Sequence, residues 1–458
     1  MDSSVGCIAD YTSALRFTDL PAAVVHECKR RILDTLGCGL GAFDAEPSRI
    51  ARKIALRARA PTGACVLGTA HRTLPELAAF ANGVMARYVE GNDSYSNGGG
   101  HPSDVIAAVL AVTDATGANG QTAITAVTLA YEIYHNLFRA AVMRDRGLDH
   151  VFYTAVGSSV GAAKVLGLNR EQIANAVSLA IAPNLALHAT RCGNLSMWKG
   201  CAAGNAARNG VFAALLAAEG MTGPDQIVEG VDGLRELVGA FELTPFAGDG
   251  RPFRITEANM KYFLSEYHAQ SPITAALQLH SQIAAEDIET VAIYTYWFTW
   301  SEIGSDPEKW HPTTREAADH SLPFIIAAVL IDGRYSDEIY SPERLRDPRI
   351  HQLTNRISVK EDPEFTRRFP RDAACRIEIT SKSGQRKTAT VDSPRGHVNN
   401  PMTDEEVNAK FRSLAGRVLS KEHVDRALER LWRLDEADDL GAIFETVQVG
   451  GKQPILFR

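Results

Sequence analysis

For roughly its first 245 residues the chain sets apolar residues three and four apart, and many of them are alanine or glycine. Val24, Val25, Cys28, Ile32, Leu33 and Leu36 show the spacing, which is one face of a helix. The same reading predicts helices over 47–58, 74–90, 103–115, 120–140, 154–166, 169–182, 198–219 and 224–238. In Ala202-Ala203-Gly204-Asn205-Ala206-Ala207 the side chains are small enough for helix axes to approach closely. Gly167 and Gly220 follow apolar helical runs, where helices commonly stop. Such a stretch reads as a tightly packed all-helical unit.

The texture changes over about 255–400. Ile288 to Tyr296 alternates and is rich in β-branched and aromatic residues, so it predicts a strand. Cys375–Thr380 and Lys387–Val391 flank Ser383-Gly384-Gln385, a hairpin signal. Helices are expected at 271–284 and 314–332. Beyond about 402 the helical pattern returns, over 405–415, 421–433 and 438–446. Thr403 and Glu406 have the spacing of a capping box. The expected fold is mainly α with an inserted α+β domain. A large all-helical domain is formed by both chain ends (1–255 and 401–458), with a smaller α+β lid domain over 256–400. A cleft between two such units is a favoured ligand site.

Charge narrows the partners. The 458 residues carry a net charge of −7, against the basic balance expected of a nucleic-acid protein. The basic clusters Arg344, Arg346, Arg349 and Arg367, Arg368, Arg371 are interleaved with Asp and Glu and read as solvated faces. No apolar run is long enough to span a bilayer. Met1-Asp2-Ser3-Ser4 has no basic n-region and no apolar h-region, so a cytoplasmic location is expected. The 7 cysteines form no C-x-x-C, which speaks against disulfide, iron–sulfur and structural zinc frameworks.

Several short stretches collect chemistry. In Glu90-Gly91-Asn92-Asp93-Ser94 through Gly98-Gly99-Gly100-His101-Pro102-Ser103-Asp104, a glycine-rich loop leads into a helix start. The free N–H groups there favour an anion and hold His101 neutral, able to act as a base. A capped turn with a satisfied histidine explains the same residues. Asp149-His150 precedes a small-residue helix, so either Asp149 caps and His150 packs, or the pair moves protons. Lys199 opens a helix with little local charge, and Lys261 lies among aromatics at the junction of the two textures; both suit anionic groups. Asp319-His320-Ser321 stands before an apolar helix, where capping by Asp319 is the plainer role. Ser393-Pro394-Arg395-Gly396-His397 reads as a hinge or loop. There is no G-x-G-x-x-G, no G-x-x-x-x-G-K-[ST], no H-E-x-x-H and no G-x-S-x-G. What remains suits proton transfer next to carboxylates without a redox cofactor.

Five ordered motifs carry a resemblance: Gly100-His101-Pro102-Ser103-Asp104, Leu148-Asp149-His150-Val151, Ser196-Met197-Trp198-Lys199, Glu266-Tyr267-His268-Ala269-Gln270 and Arg315 through Ser321. Together they resemble the MmgE/PrpD family over nearly the whole chain. Its branches include 2-methylcitrate dehydratases, cis-aconitate decarboxylases and iminodisuccinate epimerases, and the motif variants are most similar to the first. The resemblance implies a cofactor-independent and metal-free lyase on a homodimeric scaffold, acting on a small di- or tricarboxylate. It implies His101, His150 and Asp93 as catalytic, and Lys199, Lys261, Ser94, Glu90 and His320 as substrate-binding. Glu90 stands where Asp is usual in the family and Ser94 where Thr is usual. The implied chemistry is proton abstraction beside a carboxylate by one of the two histidines, with loss of water from a 2-methylcitrate-like hydroxy acid. Decarboxylation, epimerisation and silent carboxylate binding are the alternatives. A metal-dependent hydrolase built on Asp93, His101 and Asp104 fits no standard ligand spacing.

Overall fold

The computed structural model describes residues 1–95 and 99–450. Ser96, Asn97 and Gly98 of the glycine-rich loop lie outside the described residues. Among the described residues, nine α-helices occupy most of the chain up to residue 218: α1 (Ser3–Ala14), α2 (Ala22–Gly41), α3 (Glu46–Ala55), α4 (Pro75–Tyr88), α5 (Ile106–Thr116), α6 (Gly120–Ala140), α7 (Val151–Val165), α8 (Arg170–Ile181) and α9 (Trp198–Ala218). Local chemistry sets several boundaries. Asn119 caps α6 by accepting from the Thr122 N–H at 2.9 Å, and Gly117, at φ +65°, ends α5 in the left-handed region. α4 and α9 touch backbone to backbone: a Cβ placed on Gly83 would lie 2.8 Å from the Gly204 Cα. Only glycine fits at that crossing, which is how the small-residue pattern becomes tight helix packing.

A two-stranded ribbon, β1 (Ala64–Cys65) and β2 (Arg72–Thr73), lies between α3 and α4. The main sheet comprises β3 (Ile288–Thr295), β4 (Ile357–Glu361), β5 (Cys375–Ser381) and β6 (Arg386–Val391), in the order β4-β3-β5-β6. β3 pairs parallel with β4 and antiparallel with β5, and β5–β6 is the expected hairpin. Cys375, Ile377 and Ile379 alternate inward along β5, and helix Gln270–His280 packs against β5 and β6.

The largest hydrophobic cluster runs from Val5 to Met260 and resumes from Met402 to Val447; a second runs from Ala269 to Val391. Helix Asp404–Ala415 lies on α2, with Phe411 against Gly37. Its capping box forms as read: Thr403 Oγ1 accepts from the Glu406 N–H, and the Glu406 carboxylate from the Thr403 N–H. Arg344 and Arg349 pair with Asp347, Arg367 with Glu364, and Arg368 and Arg371 with Asp372. No helix among the described residues is long and apolar enough to cross a membrane.

Three expectations need correction. The helix at 224–238 shrinks to Leu234–Val238, because Gly230 and Gly233 interrupt it. The helix at 314–332 breaks into Arg315–Ala318 and Leu322–Asp332. At that break Ser321, not Asp319, is the cap: its Oγ accepts from the Phe324 N–H at 3.3 Å. The short strands β1, β2 and β4 had too few alternating residues to stand out.

Candidate active site

Seven chain segments meet at one cavity of about 260 Å³ between the helical layer and the sheet-bearing part. The end of α4 supplies Arg87 and Glu90. The turn before α5 supplies His101, the start of α7 His150, and the turn His188–Arg191 its last residue. The opposite wall carries Glu266, His268 and Glu302, with His320 from the break between the two short helices.

Glu90 sits in a turn at φ +53° and gathers three cations. Its carboxylate lies 2.5 Å from Arg87 Nη1, 3.2 Å from Lys199 Nζ and 3.2 Å from Lys261 Nζ. Lys199 Nζ also meets Asp319 Oδ1 at 2.5 Å. Lys261 Nζ donates to the Glu90 carbonyl at 3.0 Å. All five side chains are buried. Burial alone would raise the Glu90 carboxyl; Arg87, Lys199 and Lys261 override it and hold it well below the usual range. Burial lowers Lys261, and Glu90 opposes that shift. Lys410, from helix Asp404–Ala415, braces the cluster from behind: its Nζ donates to the carbonyls of Gly91 and Lys261 at 2.6 and 2.7 Å.

The second arrangement centres on Asp149. His150 Nδ1 lies 2.8 Å from Asp149 Oδ1, and Arg191 Nε donates to Asp149 Oδ2 at 2.9 Å. The carboxylate therefore accepts a hydrogen bond from the Nδ1–H, which keeps the proton on Nδ1 and leaves Nε2 as the unprotonated nitrogen. That Nε2 is buried and has no hydrogen-bond partner. Burial would raise the Asp149 carboxyl, but His150 and Arg191 hold it far below its ordinary value. His150 itself is lowered by burial, against the pull of Asp149, so it is neutral at pH 7.

His101 stands beside His150, ring centroids 5.3 Å apart, in a different state. Its Nδ1 donates to the Asp93 carbonyl at 2.7 Å, and its Nε2 accepts from Arg87 Nη2 at 2.8 Å. It is neutral, as expected from the sequence, but for another reason. Burial comes first, followed by repulsion from Arg87 and Lys261. No helix dipole is needed.

The remaining expected residues fall behind this surface. The Asp93 carboxylate accepts from Tyr131 Oη at 2.7 Å and from the Ser103 N–H at 2.9 Å, so only its backbone carbonyl reaches the site, through His101. Ser94 is wholly buried; its hydroxyl donates to the Tyr95 carbonyl, and its backbone pairs with Asn259. Neither Asp93 nor Ser94 lines the cavity. Lys199 and Lys261 also lie behind the lining, with Glu90 between them and the open space. His320 does line the cavity, its Nδ1 2.7 Å from Asp319 Oδ1. His397 is buried in its loop, its Nδ1 accepting from the Asn399 N–H.

Among the described residues, Glu90, Asp319 and His320 form the one acidic and imidazole group close enough to share a metal ion. The Lys199 ammonium already occupies that position, 3.2, 2.5 and 3.1 Å from the three ligand atoms. A divalent ion there would face a fixed positive charge, so the residues do not fit a metal. The Asp93, His101 and Asp104 set does not converge either, since both His101 nitrogens are engaged and Asp104 accepts from Asn92. Burial keeps the Asp104 carboxyl raised to about 7.

Four residues escaped the sequence reading. Arg87 carried a signal, one helical turn before Glu90, but nothing marked it as the partner of His101. Arg191 lies in an irregular turn with no periodicity. Glu266 was noticed only as part of a motif. Asp319 reads from the sequence as a cap, whereas it is the counter-ion of Lys199.

Residues 6–242 match the MmgE/PrpD N-terminal domain, and residues 263–434 match the MmgE/PrpD C-terminal domain. The chain belongs to the MmgE/PrpD family. Its relatives include the 2-methylcitrate dehydratase of Cupriavidus necator, 30% identical over 428 residues that cover 85% of each chain. That of Escherichia coli K12 is 31% identical over 425 residues, 86% of each. The mitochondrial 2-methylcitrate dehydratase of Yarrowia lipolytica is 29% identical over 410 residues, 84% of this chain and 78% of its own. In this MmgE/PrpD chain the N-terminal match contributes Arg87, Glu90, His101, His150, Arg191 and Lys199 to the site. The C-terminal match contributes Glu266, Asp319 and His320. Lys261 lies in the short link between the two matches.

Proposed function

We propose that the protein is a cofactor-independent hydro-lyase that removes water from a small di- or tricarboxylic hydroxy acid of the 2-methylcitrate type. One observation carries the reading: a neutral histidine, fixed in one tautomer by a buried carboxylate, with its free nitrogen unpartnered at a charged cavity. That is the equipment of a general base. The cavity is small for a ligand pocket, which suits a compact acid, and the relatives' names point the same way.

In this reading His150 Nε2 takes the proton from the carbon next to a carboxylate. The carbon–oxygen bond then breaks, and the departing hydroxyl takes a proton from Glu266, leaving as water. Glu266 lines the cavity, and burial raises its carboxyl above the usual range, favouring the protonated form. The proton on His150 returns to Glu266 after release. His101 does not act as the base here, because its Nε2 is spent on Arg87; it holds Arg87 toward developing negative charge. Lys199 and Lys261 supply positive potential through Glu90.

Residues 256–400 act as a lid on a helical body formed by both chain ends, a division that the two separate hydrophobic clusters support. A homodimer is part of the same reading. Trp198 and Phe212, on one face of α9 about four turns apart, are exposed large apolar residues of the kind a second copy covers.

Proton NMR in deuterated water tests the function. The purified, chelator-treated protein is offered 2-methylcitrate, citrate, cis-aconitate and iminodisuccinate separately. Appearance of an unsaturated acid from one of the hydroxy acids is expected. Decarboxylation or epimerisation instead would move the protein to another branch of the family. Inertness toward all four acids, with a thermal shift from one of them, would replace the enzyme reading with carboxylate binding.

A further inference from the structure

We propose that Arg191 anchors one carboxylate of the bound acid beside the His150 imidazole. The inference rests on the carboxylate reading above and names the group that fixes the substrate at the base.

The guanidinium of Arg191 is about nine-tenths buried and stands in the cavity wall. Its Nε donates to Asp149 Oδ2 at 2.9 Å, and its Nη1 donates to the Lys199 carbonyl at 2.8 Å. Its Nη2 is buried and has no hydrogen-bond partner. Arginine stays charged under any ordinary condition, and an unpaired buried cationic N–H is costly. An anionic oxygen from a ligand is the partner that removes this cost, and a planar fork fits a carboxylate.

The other buried cations around the cavity each already face a carboxylate, although Arg87 Nε makes no hydrogen bond. Arg87 is held by Glu90 and His101, Lys199 by Asp319 and Glu90, and Lys261 by Glu90. At Arg191 the counter-ion is shared. The same Asp149 carboxylate takes His150 Nδ1 on one oxygen and Arg191 Nε on the other. Base and anchor thus hang from one rigid group, and each presents one unpartnered nitrogen. A carboxylate on Arg191 Nη2 therefore sets the adjacent C–H near His150 Nε2. Through Nη1 the same side chain also fixes the backbone of Lys199, tying the anchor to the start of α9.

The test uses three acids that bind but have no hydroxyl to lose: tricarballylate, glutarate, which lacks the central carboxylate, and methylsuccinate, which lacks a terminal one. Dissociation constants are measured by calorimetry at constant ionic strength for the wild type, Arg191→Ala and Asp149→Asn. In Arg191→Ala the tricarballylate constant should rise about tenfold or more, the worth of one hydrogen bond to a charged group. The dicarboxylate that lacks the anchored group should lose less than about twofold, because the contact is already missing. Asp149→Asn should keep the wild-type preference among the three acids. Equal losses for all three in Arg191→Ala would show that Arg191 acts only through Asp149 and Lys199, and would overturn the inference alone. Failure of the wild type to bind any of the three would overturn the carboxylate reading and the inference with it. If Arg191→Ala does not fold, Arg191→Lys replaces it. It keeps the charge without the fork and should show a smaller loss with the same dependence on the missing carboxylate; a uniform loss would again be fatal.

Discussion

Two buried ionic clusters meet at the cavity, and they are finished to different degrees. Around Glu90, three cations close on one carboxylate and Asp319 takes what remains of Lys199. Around Asp149, a single carboxylate orders a histidine and an arginine, and each keeps one buried nitrogen unpartnered. What differs is how many cations close on the carboxylate, three at Glu90 against one arginine and a neutral histidine at Asp149, although Arg87 Nε in the first cluster also lacks a hydrogen bond. A closed cluster fixes the geometry of the segments that enter it, because removing one member strands buried charge. An open one holds unmet hydrogen-bonding capacity in place for a ligand, which is what pre-organisation requires.

The sharpest way to break this comparison is His150→Gln. Turnover should fall roughly 10²–10⁴-fold, the usual worth of a general base, while the melting temperature stays near wild type. Turnover within about tenfold of wild type would mean that the open cluster is not where proton transfer occurs. Glu90→Ala should do the reverse and act on stability. With Arg87 and Lys261 left without their carboxylate, and Lys199 keeping only Asp319, a loss of about 3–5 kcal/mol is expected, read from the denaturant midpoint. A drop under about 1 kcal/mol would show that water or relaxation satisfies the lysines.

The pH profile sharpens the contrast further. His150 must be neutral to act, and burial lowers its pKa from 6.5. The acid limb of kcat/KM should therefore lie below pH 6.5, the protonated base being inactive on its lower side. Asp149 pulls that pKa upward, so Asp149→Asn should move the limb to lower pH while cutting the rate through loss of the tautomer. A limb that moves upward would show that Asp149 is not the controlling charge. The smallest effect is expected at Asp104, behind the closed cluster. Burial raises its folded pKa to about 7, above the ordinary 3.8 of an aspartate, so its contribution to stability is full below about pH 4 and is lost as pH rises to 7. Asp104→Asn should raise the melting temperature at pH 8 relative to wild type and leave it nearly unchanged at pH 4. An equal shift at both values would assign the effect to packing.

Much of this site could be read in the sequence, though unevenly. His101, His150, Glu90 and His320 were singled out, and all four line the cavity. Asp93, Ser94, Lys199 and Lys261 were singled out too, but they form a supporting layer behind it. A motif marks which residues matter together; it does not say which one faces empty space. Arg191 was missed because it lies in a short irregular turn, where neither of the periodicities that betray buried faces operates. Asp319 was misread because an aspartate before an apolar helix is a good cap in isolation. Ser321 is nearer the helix start and takes the role, freeing Asp319 for Lys199.

By itself the sequence determined the helical spacing of the first 245 residues, the change of texture near 255, the β5–β6 hairpin and the Thr403–Glu406 cap. These follow from interactions within a few residues, and such interactions are written in local order. Only the tertiary structure decided which histidine keeps a free nitrogen, which carboxylate serves which cation, and that Lys410 braces Lys261 from far along the chain. Those choices are made by burial and by charges from distant segments, since a buried ionic group takes its protonation and its partner from whatever the fold brings within a few ångströms.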